Sequence, residues 1–501
     1  MISEAVGVAS QGVLVLFLMA VLSELASTGT LKELAETLEG ASSEEILKAI
    51  TRPEILGVAV PAFAAALVIF IAVNVVGTGF ATSAEYGTYV ALLQKGRVGV
   101  GEVLRELGRR WTKMAWTALV VNVVAWGPLS IAFLALLYLL IIGGLPLLGS
   151  DPSQPGVMIG LPAISLLILV LAIVALVVYS LSMYSYTAVA TSGTRGLEAV
   201  RQSFRVFRSA AGISVIYVLI RIGMIVSFGL LTVFAGIGFS VSSMITVVLS
   251  LSLIPILHLL KTQVYFIHSG LPLPLLPFLA STTIGRDLAG AMPRRLLNEI
   301  GKGLRTLRAF LTTPRNLPYH LASLLFFLCG LAAGCLVSTS GLSQLIFVAG
   351  YRPGSINPEI AAAFPPVLGI DISFHNWQVS LATALSGLAL TLPAVNSLVF
   401  NGFLLGVLAS LTPSTSMFLA AILPHGLIEL PCFFVAGSAG IRLGIEVIEA
   451  WRRGEMWVDP RLRMALRETV YTVIGLAPLF LAAGLIEALV TPSVMMLSGW
   501  S

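Results

Sequence analysis

Charge is what this sequence has least of. Of its 501 residues only 11% are charged, 57% are hydrophobic, and the mean hydropathy is +0.97. An ordinary soluble domain carries about 25% charged residues, so a soluble globular class is excluded. Cysteine is nearly absent. Cys329, Cys335 and Cys432 lie in apolar segments, in no paired or metal-ligand spacing, so neither a disulfide framework nor a zinc motif is read. There is no HExxH sequence, no nucleophile elbow and no convincing phosphate loop. Gly99, Val100 and Gly101 sit beside membrane-type segments without the strand such a loop needs. Catalysis is therefore not the expectation. The first apolar run lacks a basic n-region and a cleavage site, and reads as a membrane helix instead of a cleaved signal. The formal net charge of +5, with more Arg than Lys, reports topology, and no nucleic-acid partner is expected.

What is present in abundance is apolar sequence in runs of roughly 20 residues, the length that crosses a bilayer as helix. Such runs sit at about 5–25, 55–80, 114–142, 160–190, 210–236 and 240–266, then at about 319–339, 376–394, 397–411, 415–448 and 468–490. Basic residues collect in alternate connections: 94–113, 193–208, 285–316 and 449–467. Segment 143–159 has none, and 340–374 has only Arg352. The positive-inside bias then predicts an all-α polytopic membrane protein with about eleven transmembrane helices (6 + 5), N-terminus inside and C-terminus outside. The lipid bilayer is its first partner and the cell (plasma) membrane its expected location.

The Pro-rich Leu271–Phe278 closes the first bundle and a basic amphipathic stretch follows. The expected organisation is a six-helix domain (1–284), a basic cytoplasmic linker (285–316) and a five-helix domain (317–501). The first domain repeats itself. Gly101–Trp111 and Leu197–Phe207 align at an offset of 96, matching Arg105 with Arg201 and Arg109 with Arg205. Each copy reads as a short interfacial amphipathic helix leading into a long apolar one. These four arginines either anchor topology or bind anionic lipid headgroups. Arg221 falls inside the fifth apolar run, a costly place for a charge, with Asn74 and Asn122 as candidate neighbours.

The chemistry-bearing candidates all fall in the second half. His425 and Glu429 are four residues apart, so one helix puts them on one face. Asn376, heading the eighth span, Asn396, Asn401 and Glu487 come from neighbouring segments and are expected to join them in one intramembrane polar cluster. His425, Glu429 and Glu487 are possible ligands of a divalent metal. Pro424 suits the first position of a new helix, which predicts a broken or re-entrant element there. The segment from Asn396 to Leu411 also looks short for a crossing. On a straight tenth helix, His425 and Glu487 would sit at poorly matched depths. Gly330/Gly334, Gly402/Gly406 and Gly440/Gly444 are GxxxG pairs that either pack helices within the chain or form a homodimer seam.

Five stretches together carry a family resemblance: FHNWQVSL (Phe374–Leu381), NSLVFNGFLLG (Asn396–Gly406), PHGLIELP (Pro424–Pro431), AGSAGIRLG (Ala436–Gly444) and LIEALVTP (Leu485–Pro492). Through them, residues of about 319–492 resemble the stage II sporulation protein M (SpoIIM) family. The resemblance implies a five-helix membrane protein with its first loop outside, and a membrane anchor that recruits cell-wall hydrolases in spore-forming bacteria. Residues 1–270 more faintly resemble glycerophosphodiesterase-type membrane domains, although no phosphodiesterase domain is present. The expected function is an integral membrane scaffold that organises partner proteins. The alternative is a transporter or channel with its polar site around His425 and Glu429. A third reading is an intramembrane metal-dependent enzyme.

Overall fold

Apolar runs with few backbone-breaking residues form helices in a bilayer because no water is there to satisfy a free N–H or C=O. The computed structural model describes residues 53–96, 98–142, 155–234, 253–271, 284–337, 365–455 and 458–498, and their regular structure is helical. In chain order the helices are α1 (Pro53–Lys95), α2 (Val100–Ile142), α3 (Pro155–Leu181), α4 (Ser185–Ser192), α5 (Leu197–Ser209), α6 (Ala211–Phe234) and α7 (Ile254–His268). Then come α8 (Ile284–Thr312), α9 (Leu317–Val337), α10 (Pro365–Leu385), α11 (Leu392–Leu411), α12 (Thr415–Arg452), α13 (Pro460–Leu489) and α14 (Thr491–Leu497). Among the described residues seven helices are long and apolar enough to cross a membrane, or eight if the bent pair α5–α6 counts as one span. The chain is thus a multi-span, all-helical membrane protein. The expected first span, at about 5–25, lies outside the described residues.

These residues fall into two compact units. One comprises Val75–Ile225 with Ile256–Phe278; the other holds the described residues of Met1–Asn74, Val226–Pro255 and Leu279–Ser501. In the first, the two repeat copies differ. Gly101–Trp111 is continuous with α2, so the separate amphipathic helix expected there is absent; its Leu104 and Leu107 are buried and nothing interrupts the backbone. The second copy is a distinct helix, α5, at 104° to Ala211–Met224, because Ala210 leaves helical geometry (φ −114, ψ 31). Its Val200 and Ser203, equivalent to Leu104 and Leu107 under the repeat, are likewise buried.

The second unit is organised by glycine. A Cβ on Gly330 would stand 2.0 Å from Val399 O and one on Gly334 2.2 Å from Phe403 O. Reciprocally, Gly402 faces Phe327 O at 2.1 Å and Gly406 faces Leu331 O at 2.1 Å. Two of the GxxxG pairs therefore pack against each other, bringing the backbones of α9 and α11 into direct contact. The third pair seats α12 on the turn after α10: Gly440 meets Thr383 O and Gly444 meets Thr391 N. Gly369 and Gly484 bring α10 onto α13 in the same way, and Trp377 Nε1 donates to Val473 O at 2.8 Å. The basic stretch expected to be amphipathic forms one helix, α8, which belongs to the second unit. It buries Gly303, Leu307 and Phe310 against α13 while Arg305 and Arg308 stay exposed.

Three local expectations are corrected. α12 runs unbroken through Pro424 and Pro431, so the predicted broken or re-entrant element is absent. The lost donors are spaced seven residues apart, and the helix continues on both sides. α11 has 20 residues, because Pro393 enters its first turn, so the ninth segment is long enough to span. Asn376 does not head its helix. α10 starts at Pro365 and ends at Leu385, and a short 3-10 turn with Leu390 and Thr391 at positive φ leads into α11.

Asp459 caps α13. Its Oδ1 accepts from Arg461 N (2.7 Å) and Leu462 N (3.4 Å), and its Oδ2 accepts from Arg453. Burial alone would raise this carboxyl, but the Arg453 guanidinium and the two backbone N–H groups outweigh it and hold the group below its ordinary value. A depressed folded value contributes stability that is present above the unfolded value, near 3.9, and is lost as pH falls through the folded one. Thermal unfolding should show an acid-side loss below about pH 4 that Asp459→Asn lacks, and at neutral pH Asp459→Ala, which removes the cap, should cost about 0.5–2 kcal/mol. At the glycine crossing, Gly330→Ala or Gly402→Ala should each cost about 1–3 kcal/mol, since a carbonyl oxygen occupies the Cβ position. Wild-type melting temperatures in either alanine variant would contradict the packing.

Candidate functional site: an intramembrane His–Glu–Glu cluster

The long helix α12 carries His425 and Glu429 one turn apart, and α13 ends two residues after Glu487. The expected mismatch in depth does not arise. His425 lies about 15 Å along α12 at 1.5 Å per residue. At 38 residues, that helix is far longer than the membrane core and need not begin at its edge. One ligand atom from each of His425, Glu429 and Glu487 lies within 4.8 Å of the other two. His425 is buried; the two carboxylates are half-buried. This donor set, one imidazole and two carboxylates, is able to coordinate a divalent metal.

Around it the partners are few and specific. His425 Nδ1 is 3.2 Å from Thr491 Oγ1 at the start of α14, and Thr491 Oγ1 donates to Ile486 O at 3.3 Å. Asn376 shares the cavity wall with Glu429, and Glu429 Oε2 is buried without a hydrogen-bond partner. A partly open cavity of about 250 Å³ adjoins the cluster; Asn376, Ser380, Asn401, His425 and Glu429 form its polar wall, and Ser380 Oγ is buried without a partner. Neither Glu429 nor Glu487 forms an ion pair with Lys or Arg among the described residues.

The other expected members are placed as follows. Asn401 lines the cavity but spends its amide N–H on Ser397 O at 2.8 Å. Asn396 is half-buried on α11 and is not a cavity residue. Glu487 joins the cluster from α13 without lining the cavity. Arg105, Arg109, Arg201 and Arg205 are all exposed. Thr491 and Ser380 went unread in the sequence, where hydroxyls in apolar segments are too common to stand out.

The candidates are not confined to the second half. In the other unit, α1 and α7 bring together Glu85, Tyr86, His258 and Lys261. Glu85 bonds His258 Nδ1 and accepts from Tyr89 Oη at 3.1 Å. Lys261, 4% exposed, donates to Tyr86 Oη and lies 4.8 Å from the centroid of the same ring. Arg221 is half-buried and interacts with Lys261, His258 and Tyr217. Asn74 and Asn122, its expected neighbours, bond the carbonyls one turn back, Phe70 O and Ala118 O. The signal was present: His258 and Lys261 stand three apart in an apolar helix, as telling as His425 and Glu429. Glu85→Ala should destabilise the protein by about 1–3 kcal/mol by leaving His258 Nδ1 without its acidic partner, and adding His258→Phe should restore much of that loss. Additive losses in the double variant would show that the two side chains are not coupled.

Among known proteins, residues 323–492 match the family model described as Stage II sporulation protein M, SpoIIM. No curated protein and no solved structure matched the chain. The matched segment contains all three members of the His–Glu–Glu cluster, so this is a multi-span membrane protein whose carboxy-terminal part is similar to the SpoIIM family and carries an intramembrane polar site.

Proposed function

We propose that this protein is a plasma-membrane transporter or channel in which the SpoIIM-like part moves a small polar or ionic solute past His425, Glu429 and Glu487. The carrying observation is the partly open 250 Å³ cavity whose polar wall includes His425 and Glu429. A cluster serving only to lock helices is best sealed and fully hydrogen-bonded, because unmet polar atoms at membrane depth are expensive. Here Glu429 Oε2 and Ser380 Oγ have no partner. On the expected eleven-span, N-inside topology, we read the exposed Arg105 and Arg109 of α2 and Arg201 and Arg205 of α5 as cytoplasmic residues that face lipid headgroups and hold orientation. A partner-recruiting scaffold, the role implied by the family resemblance, is the second reading.

The test is electrical. The purified full chain is reconstituted on a solid-supported membrane and challenged with H⁺, Na⁺, K⁺, Mg²⁺, Ca²⁺, Mn²⁺ and Zn²⁺, then with small anions. Transport predicts a solute-evoked current that falls to background in Glu429→Gln and in Leu404→Trp, which narrows the cavity. If no solute on that panel evokes a current from folded protein, the scaffold reading takes its place.

A further inference from the structure

We infer that the solute is a divalent first-row transition-metal cation, bound by His425 Nε2 and one oxygen from each of Glu429 and Glu487, with Thr491 as the residue that orients the imidazole. The assignment of this cation as cargo rests on the transport reading; the assignment as ligand does not.

Thr491 has one hydroxyl proton and two acceptors in reach, Ile486 O at 3.3 Å and His425 Nδ1 at 3.2 Å. That proton is assigned to Ile486 O. The hydroxyl then accepts from His425 Nδ1, which carries the ring proton. Neutral imidazole has one proton to place, which leaves the Nε2 lone pair free. Metal-binding histidines use this arrangement, with the second nitrogen donating to a fixed acceptor. The other two donors are equally available, since Glu429 Oε2 has no hydrogen-bond partner and Glu487 has no ion pair among the described residues.

Charge and size narrow the ligand. Two carboxyls together at membrane depth are neutralised by protons or by a bound cation; a dication that displaces the protons balances both charges, where a monovalent ion leaves a net negative site. Ca²⁺ and Mg²⁺ favour six or more oxygens, largely carboxylate, carbonyl and water. An imidazole with two carboxylates suits Zn²⁺, Mn²⁺ or Fe²⁺ instead, and no cysteine belongs to the cluster to favour a softer ion. Tetrahedral bonds of about 2.0–2.2 Å put donors roughly 3.3–3.6 Å apart. The 4.8 Å spread therefore needs only side-chain rotation to close. Three protein ligands leave a position for water, and the adjoining cavity, where buried Ser380 Oγ lacks a partner, has room for it. A closed four-ligand site would hold metal permanently; an open one is able to release it.

The experiment uses the full chain in nanodiscs, stripped with chelator, and equilibrium dialysis against Zn²⁺ or Mn²⁺ with elemental analysis. The expected result is one metal per chain that excess Mg²⁺ and Ca²⁺ do not displace and that Glu429→Gln and His425→Gln lose. Thr491→Val should weaken binding about 10–100-fold, the usual effect of removing an outer partner of a metal histidine, while Thr491→Ser should retain it. Size-exclusion profiles and melting temperatures identify any variant that misfolds. The visible band of the Co²⁺-loaded protein reads the site independently, and should shift in Thr491→Val. Absence of stoichiometric metal on folded wild-type chain overturns the inference, as does displacement by Ca²⁺ or undiminished binding in Glu429→Gln. Metal bound but never carried into liposomes upholds the site and overturns its role in transport. Flux of another solute with no metal bound upholds transport and overturns the metal.

Discussion

Backbone-to-backbone contact at glycine is the constraint on which the SpoIIM-like part depends. In lipid, apolar side chains gain nothing by leaving their surroundings for one another, so helices associate through close fit and interhelical hydrogen bonds. Gly330 and Gly334 against Gly402 and Gly406 set the α9–α11 crossing; Gly369 against Gly484 sets α10 on α13. The consequence reaches the site directly. α13 delivers Glu487, α10 delivers Asn376 and Ser380, and α12, seated through Gly440 and Gly444, delivers His425 and Glu429. A wider separation of any of these helices would scatter donors that now lie within 4.8 Å.

The polar groups of the two units are handled in different ways. Around Glu85, His258, Tyr86 and Lys261, acid meets base and each named side chain has a bonding partner. Around His425, Glu429 and Glu487, one donor is tied to Thr491, one carboxylate oxygen is unmet, and no Lys or Arg is paired with the acids among the described residues. The first arrangement pairs its carboxylate with a base inside the cluster. The second has two acids without a basic ion-pair partner among the described residues, and a cavity adjoins it. That contrast is the ground for proposing the second as a ligand site.

Several wrong expectations share one physical cause. Pro424, the short look of Asn396–Leu411 and the polar start of α10 all suggested interruptions, because proline lacks an N–H and short polar stretches read as loops. Local rules of this kind weigh one residue against its own turn. In α12 the residues from Ile428 onward pack against α9, α10, α11 and α13, and the helix persists across both prolines. The repeat shows the reverse. Two closely matched amphipathic segments behave differently because only one is followed by a residue, Ala210, that leaves helical geometry.

The sequence by itself determined the membrane class, the amphipathic character of the stretch that forms α8, the family-like stretches, and the pairing of His425 with Glu429. Hydropathy, basic loop residues and a spacing of four are properties of the chain read in one dimension. Only the tertiary structure decided that Glu487, a candidate some sixty residues away, comes within 4.8 Å of that pair, that Thr491 Oγ1 stands 3.2 Å from the imidazole, and that Asn396 stands apart. Those facts depend on how far two helices overlap along their axes and how closely they approach. That is settled by glycine contacts between segments distant in the chain, which no local pattern records.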